Sequence, residues 1–144
     1  MFLGEFNHSI DDKGRLTLPA KFREQFAPGV VITRGLDGCL FVFTYEDWTQ
    51  FTSQLREKLP FTQRSARDLT RFFFAGASHV IPDRQGRVLI PPFLRDYAHL
   101  DASAVITGAN TRLEVWSPAR WKEIMHEVEL SAEQVAEQYS NITF

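Results

Sequence analysis

A chain of 144 residues with 44% hydrophobic content and thirteen Phe can bury a core as one domain or as two small fused ones. A formal charge of −2 argues against a chain that holds nucleic acid by bulk positive charge, and the lone Cys39 excludes an internal disulfide and a Cys-rich metal site. No apolar run is long enough to span a membrane, and the Met1–Glu5 start lacks the basic and apolar regions of a leader, so the expected location is the cytoplasm.

In chain order, residues 2–10 read as a strand that enters a turn at Lys13-Gly14, where glycine tolerates positive φ. Leu16–Leu18 is a short strand, and Pro19 closes it and suits the first position of a helix over residues 20–26. Val30–Thr33 and Cys39–Thr44 flank Gly35-Leu36-Asp37-Gly38, a hairpin signal. Thr44 is placed to cap a helix over residues 45–59, in which Trp48, Phe51, Leu55 and Leu59 recur at spacings of three and four. A second helix is expected over residues 63–74, and strand resumes at 77–81. Ser117-Pro118 caps a further helix with Trp121, Ile124, Met125 and Val128 on its apolar face, and Ser131-x-Glu133 suggests one more short helix after it.

The chain repeats itself. Asp11-Asp12-Lys13-Gly14-Arg15-Leu16-Thr17-Leu18-Pro19 returns 72 positions later as Asp83-Arg84-Gln85-Gly86-Arg87-Val88-Leu89-Ile90-Pro91. Asp, Gly, Arg and Pro coincide, and so do Arg23 and Arg95 further on. Val31-Ile32-Thr33 then matches Val105-Ile106-Thr107, Leu40-x-Val42-Phe43 matches Leu113-x-Val115-Trp116, and Trp48 falls on Trp121. The offset drifts by one or two residues in surface turns, where length changes are tolerated. Units this short bury little alone, so the two are expected to share one core. The organisation read from this is a first repeat at 5–48, a second at 77–121, and an acidic helical tail at 122–144, in which Lys122 faces Glu123, Glu127, Glu129, Glu133 and Glu137. The cations therefore lie upstream of the acid.

Each D-x-x-G-R turn sets an acid four residues before a base. The Asp residues, Asp11 and Asp83, are suited to fixing the turn through their own backbone N–H groups. A single carboxylate satisfies only part of the five-donor guanidinium, so Arg15 and Arg87 retain capacity for another partner. Lys13 and Arg84 stand beside them. Two cations on a tight turn suit phosphate, and arginine also pairs bidentately with guanine in the major groove. Lys13, Gly14, Arg15, Arg84, Gly86 and Arg87 are thus the candidate DNA-binding residues. Because Gln85 stands where Lys13 does, the second loop is the one expected to be structural if either is.

Other features point elsewhere. Arg64, Arg67 and Arg71 share a helix face that suits solvent, phosphate or a neighbouring subunit. Phe72-Phe73-Phe74 is read as the turn into the second repeat's core or an oligomer contact. The four His residues show no metal-ligand spacing. No phosphate loop or nucleophile elbow occurs, and Asp11 or Asp83 as a general base lacks a convergent set of partners. The expectation is a non-enzyme without metal, cofactor or small-molecule substrate.

These motifs resemble the MraZ family of bacterial proteins, built from two SpoVT/AbrB-type repeats. The resemblance covers nearly the whole chain and rests on Met1-Phe2-x-Gly4, both D-x-x-G-R segments, Ala75-Gly76-Ala77-Ser78, and Leu113-Glu114-Val115-Trp116. It implies an α+β fold in which tandem β-β-α-β units form a swapped-hairpin β-barrel core, with helices after each repeat. It also implies a ring-shaped homo-oligomer associated with the nucleoid. Such a ring would regulate transcription of the division and cell-wall gene cluster by binding short direct repeats in double-stranded DNA through the two loops. A protein-interaction module on the same barrel, with the arginines in subunit salt bridges, is the alternative.

Overall fold

The computed structural model describes residues 1–144. The first repeat contributes β1 (Glu5–Ser9), β2 (Arg15–Thr17), a 3-10 turn (Ala20–Phe22) running into α1 (Arg23–Phe26), β3 (Val30–Arg34) and β4 (Leu40–Thr44). Helices α2 (Tyr45–Lys58) and α3 (Arg64–Ala75) follow it. The second repeat supplies β5 (Ser78–Val80), β6 (Arg87–Leu89), α4 (Pro92–Tyr97), β7 (Ser103–Gly108) and β8 (Leu113–Trp116), and α5 (Pro118–Glu137) ends the chain's regular structure.

The strands form one six-stranded sheet, ordered β1-β7-β8-β4-β3-β5, and a separate β2-β6 ribbon. All pairings are antiparallel. Each repeat gives its first strand to the other: β1 pairs with β7, and β5 pairs with β3. The registers reveal a pseudo-twofold axis. Phe6 opposes Ile106 just as its counterpart Ser78 opposes Ile32. On the axis itself, equivalent residues meet each other: Leu16 opposes Val88, and Phe41 opposes Glu114. This is the swapped-hairpin architecture, and it explains why neither repeat holds a core of its own.

Strands β3 and β4 are apolar without alternation because both faces of the sheet are covered. On the inner face, Val30, Ile32, Leu40, Val42 and Ile106 pack with Leu16 and Val88 of the ribbon and with Phe22, Phe26 and Leu94 of the short helices. On the outer face, Phe41, Phe43, Val105 and Trp116 pack with Phe73 of α3, and Trp48, Phe51, Trp121 and Ile124 close this aromatic layer. The ribbon and the long helices thus stand on opposite sides of the sheet.

Thr44 caps α2 by accepting a hydrogen bond from the Asp47 N–H, and Ser117 caps α5 through the Arg120 N–H. Several sequence readings need correction. Residues 20–26 split into a 3-10 turn and one α turn. Phe72-Phe73-Phe74 is the end of α3 rather than a turn, with Phe73 buried and Phe74 exposed. Cys39 precedes β4 instead of lying in it, buried with its thiol donating to the Leu36 carbonyl. No separate helix starts at Ser131. Its hydroxyl donates to the Glu127 carbonyl one turn back, so α5 continues through a residue that could otherwise have capped a new helix. No helix is long and apolar enough to cross a membrane.

Candidate nucleic-acid interface

The two D-x-x-G-R turns have the same internal wiring. In the first, the Gly14 N–H donates to the Asp11 carbonyl at 3.0 Å, and the Asp11 N–H donates to the Arg15 carbonyl at 3.0 Å. Asp11 Oδ1 accepts from the Lys13 and Arg15 N–H groups at 3.0 and 2.9 Å, and Oδ2 accepts from Arg15 Nε at 2.7 Å. In the second, Asp83 Oδ1 accepts from the Gln85 and Arg87 N–H groups, both at 2.9 Å, and Oδ2 from Arg87 Nε at 2.8 Å. These turns require left-handed glycine, and Gly14 and Gly86 have φ of 86° and 75°.

The aspartates are held ionised by this arrangement. The Arg15 backbone N–H, and after it the Arg15 guanidinium and the Lys13 N–H, keep the Asp11 carboxyl below the ordinary carboxylate range against the opposing pull of burial. Asp83 is held down in the same way by the Arg87 N–H, the Arg87 guanidinium and the Gln85 N–H.

Each arginine gives only its Nε–H to the neighbouring aspartate, so the Nη groups keep their donors for another partner. Their position follows from the ribbon. Arg15 opposes Leu89 and Thr17 opposes Arg87, so these four side chains share one face. Leu16 and Val88 point the other way, into the core. The outward face therefore carries two arginines on one diagonal and Thr17 and Leu89 on the other, with Leu89 50% exposed. The loops are also stitched to each other. The Leu18 N–H donates to the Gly86 carbonyl and the Ile90 N–H to the Gly14 carbonyl, both at 2.9 Å. Arg87 Nη1 lies 3.8 Å from Asp11 Oδ2.

Lys13 and Arg84 are exposed at the loop tips and form no ion pair. Two further cations join the face. Arg95 lies against Gly14 of the first loop, and Arg23 lies against Gly86 of the second. Each donates its Nε–H to a carbonyl of its own repeat, Arg95 to Ile90 and Arg23 to Leu18. Their signal was already present as a coinciding position in the repeat, but their placement needed the swapped topology. His8 shares Arg23's surroundings: burial and the Arg23 charge hold its imidazole below the ordinary value. The structure thus brings all six sequence candidates onto one side of the molecule, together with Arg23 and Arg95. No cluster of His, Cys, Asp and Glu is arranged to hold a metal ion.

Comparison with known proteins agrees with this architecture. A family model described as "MraZ protein, putative antitoxin-like" matches residues 1–72 and again 73–141. A protein of Moorella thermoacetica named transcriptional regulator MraZ is 50% identical over 137 residues, spanning 95% of both chains. Proteins of the same name from Desulforamulus reducens and Acetivibrio thermocellus are each 47% identical over 137 residues, spanning 95% of this chain and 96% and 95% of theirs. With the family model matched twice over nearly the full length and relatives at this identity, the chain belongs to the MraZ family, whose members compared here are named as transcriptional regulators and not as enzymes.

Proposed function

We propose that this protein is a sequence-specific DNA-binding transcriptional regulator whose two D-x-x-G-R loops and the β2-β6 ribbon between them enter the major groove. The observation that carries the reading is the outward ribbon face, where Arg15 and Arg87 are each fixed through Nε and neither Nη edge is taken up by a hydrogen bond, the Arg87 Nη1 only lying 3.8 Å from Asp11 Oδ2. A two-stranded ribbon fits the major groove, and a free guanidinium edge matches guanine O6 and N7. Lys13, Arg84, Arg23 and Arg95 flank it as phosphate contacts, and Gly14 and Gly86 let the backbone turn closely enough for their arginines to converge. The regions at 5–48 and 77–121 are the two halves of one reading head, and 122–144 is an acidic extension outside it.

The protein acts as a ring-shaped homo-oligomer on short direct repeats, with the promoter of the division and cell-wall gene cluster as its target, in the cytoplasm at the nucleoid. One protomer offers ~2–4 phosphate contacts, which gives weak and salt-sensitive binding. Linking copies raises avidity by roughly 10²–10⁴ when neighbouring heads reach neighbouring repeats. That accommodates a net charge of −2, because the binding is local and multivalent.

The test is a titration of wild type and Arg15→Ala against DNA from the region upstream of the protein's own gene, at two salt concentrations, with light scattering in parallel. Loss of binding by a variant that stays assembled supports the reading. A variant that falls apart points instead to arginines in subunit contacts. Wild type that binds no better than to scrambled DNA removes this target.

A further inference from the structure

We infer that Arg34 and Tyr97 are positioning residues for the first D-x-x-G-R loop: they tie α4 to the end of α3 and to the β3-β4 turn, and α4 in turn holds Arg95 against Gly14. The inference rests on the DNA reading above and deepens it, because two loops with the same internal hydrogen bonds then differ in what stands behind them.

Helix α4 is six residues long, too short to keep its place without tertiary contacts. It uses three faces. Leu94 and Ala98 go into the core. Arg95, on the side of the helix away from Phe93, fills the space beside Gly14. Phe93 and Tyr97, one turn apart, meet Arg34, Phe72 and Gly35. The Arg34 guanidinium lies 5.7 Å from the ring centres of both Phe72 and Phe93, and its Nη1 donates to the Phe72 carbonyl at 3.0 Å. Gly76 makes room for it, since a β-carbon there would lie 2.8 Å from Nη1. Tyr97 packs edge-on against Phe72, with ring centres 5.9 Å apart, and its hydroxyl donates to the Gly35 carbonyl at 2.7 Å. Both ends of α4 are therefore fastened, and Arg95 stands between the two ties.

The first repeat is built differently at the matching places. Lys21 and Gln25 stand where Phe93 and Tyr97 do, and both are exposed. Lys21 lies over Phe6 and Phe22 instead. Gly108 and Ala109 stand where Arg34 and Gly35 do, and the backbone of Phe2 and Leu3 fills the space beside Gly108. Arg23, which lies against Gly86, thus sits on a short helix without the second repeat's ties. The first loop is braced from the far side of the sheet, and the second stands on its own lock.

Full-length Tyr97→Phe and Arg34→Met test this, with Gln25→Ala as the control at the matching place. Tyr97→Phe removes one oxygen and keeps the ring on Phe72. Arg34→Met keeps an apolar stem on the rings and removes the donor. Thermal melting and light scattering confirm that each folds and assembles like wild type. Hydrogen exchange on the free protein is read first. Residues 13–15 are expected to exchange roughly 3- to 10-fold faster in both variants, with 85–87 unchanged, and Gln25→Ala is expected to alter neither loop. Unchanged exchange at both loops, or equal acceleration of both, overturns the brace. Titrations with DNA from upstream of the protein's own gene follow. Tyr97→Phe is expected to weaken binding by roughly 3- to 10-fold in wild type and in Arg87→Ala, and to cost nothing further in Arg15→Ala. An equal loss in the two arginine backgrounds overturns the positioning role. Exchange that splits between the loops, in a protein that binds this DNA no better than scrambled DNA, supports the brace and refutes the reading it serves.

Discussion

A β-carbon built on Gly14 would lie 2.7 Å from Cζ of Arg95, so a guanidinium from one repeat fills the space beside the other repeat's loop. The relation recurs between Gly86 and Arg23. It follows from the strand swap, which lays the short helix of each repeat against the opposite turn. Gly14→Ala is therefore expected to do two things. The left-handed backbone costs about 1–2 kcal/mol, and the Arg95 side chain has to move, which weakens DNA binding. Chemical denaturation of Gly14→Ala, Arg95→Ala and the double variant checks this. A cost for Gly14→Ala that is the same with and without Arg95 assigns the whole effect to the backbone.

Arg15→Ala and Arg87→Ala are expected to weaken DNA binding to similar extents, roughly 10-fold or more each, and each to relax the preference for the guanine it reads. The sequence pointed to the second loop as the structural one because Gln85 replaces Lys13. The hydrogen bonds do not separate them, since both turns share the same Asp–Arg lock to within 0.1 Å at the Nε contact, 2.7 against 2.8 Å. A strongly unequal pair of affinities would mean that Lys13 or Arg84, rather than the lock, distinguishes the loops.

Leu89 is 50% exposed in the middle of a cationic face, beside Arg15 in register. An apolar side chain there suits a thymine methyl in the major groove, and Thr17, its counterpart, offers a methyl and a hydroxyl. Leu89→Ser is expected to leave low-salt binding to scrambled DNA unchanged and to reduce the preference for the cognate site by ~10-fold. Competition titrations with cognate and scrambled duplexes read this out directly. An unchanged preference places Leu89 outside the contact.

Much of this was legible in the residues. The repeat exposed two equivalent units, and shortness implied a shared core. Thr44 and Ser117 announced their caps because N-cap chemistry is local. The pairing of β1 with β7 was not local, and it reached the reading through family resemblance rather than through any pattern in residues 5–9. Arg23 and Arg95 were visible as coinciding positions, yet nothing in the order of residues says that each lies over the other repeat's glycine. Ser131 misled because a serine before an acidic residue can cap a helix or bond back into one, and only the Glu127 carbonyl decides. The helix over 63–74 was read to within a residue, but taking Phe72–Phe74 as a turn failed because aromatics in a row face different directions on a helix, here with Phe73 buried and Phe74 exposed.

Acid should loosen the loops before it unfolds the barrel. The carboxyls of Asp11 and Asp83 titrate lower in the folded chain than the ordinary value, about 3.9 in the unfolded chain. Between those values the unfolded chain binds more protons, so stability rises with pH. The contribution is fully present above about pH 4 and is lost as pH falls through the folded values. Thermal melts of wild type from neutral pH downward should show this decline, and Asp11→Asn with Asp83→Asn should lower stability at neutral pH and flatten the decline. An equally steep acid decline in the double variant would assign it to other carboxylates.

Leu16 and Val88 meet on the pseudo-twofold axis, both essentially buried, and they are the inward side chains of the ribbon that carries the arginines outward. Leu16→Ala is expected to destabilise by about 2–5 kcal/mol through lost burial and the cavity left behind. Val88→Ala should cost less, since a smaller side chain is removed. Because the two face one another across the same ribbon, their combined cost should fall short of the sum by at least ~0.5 kcal/mol. The link to function is mechanical. A ribbon seated on a cavity no longer holds Arg15 and Arg87 at one spacing, so DNA binding should weaken in Leu16→Ala at temperatures where the protein remains folded. Denaturation of the single and double variants, paired with a titration well below the melting point, checks both halves. Full DNA affinity in a folded but destabilised Leu16→Ala protein would show that the Asp–Arg locks alone suffice to position the reading edge.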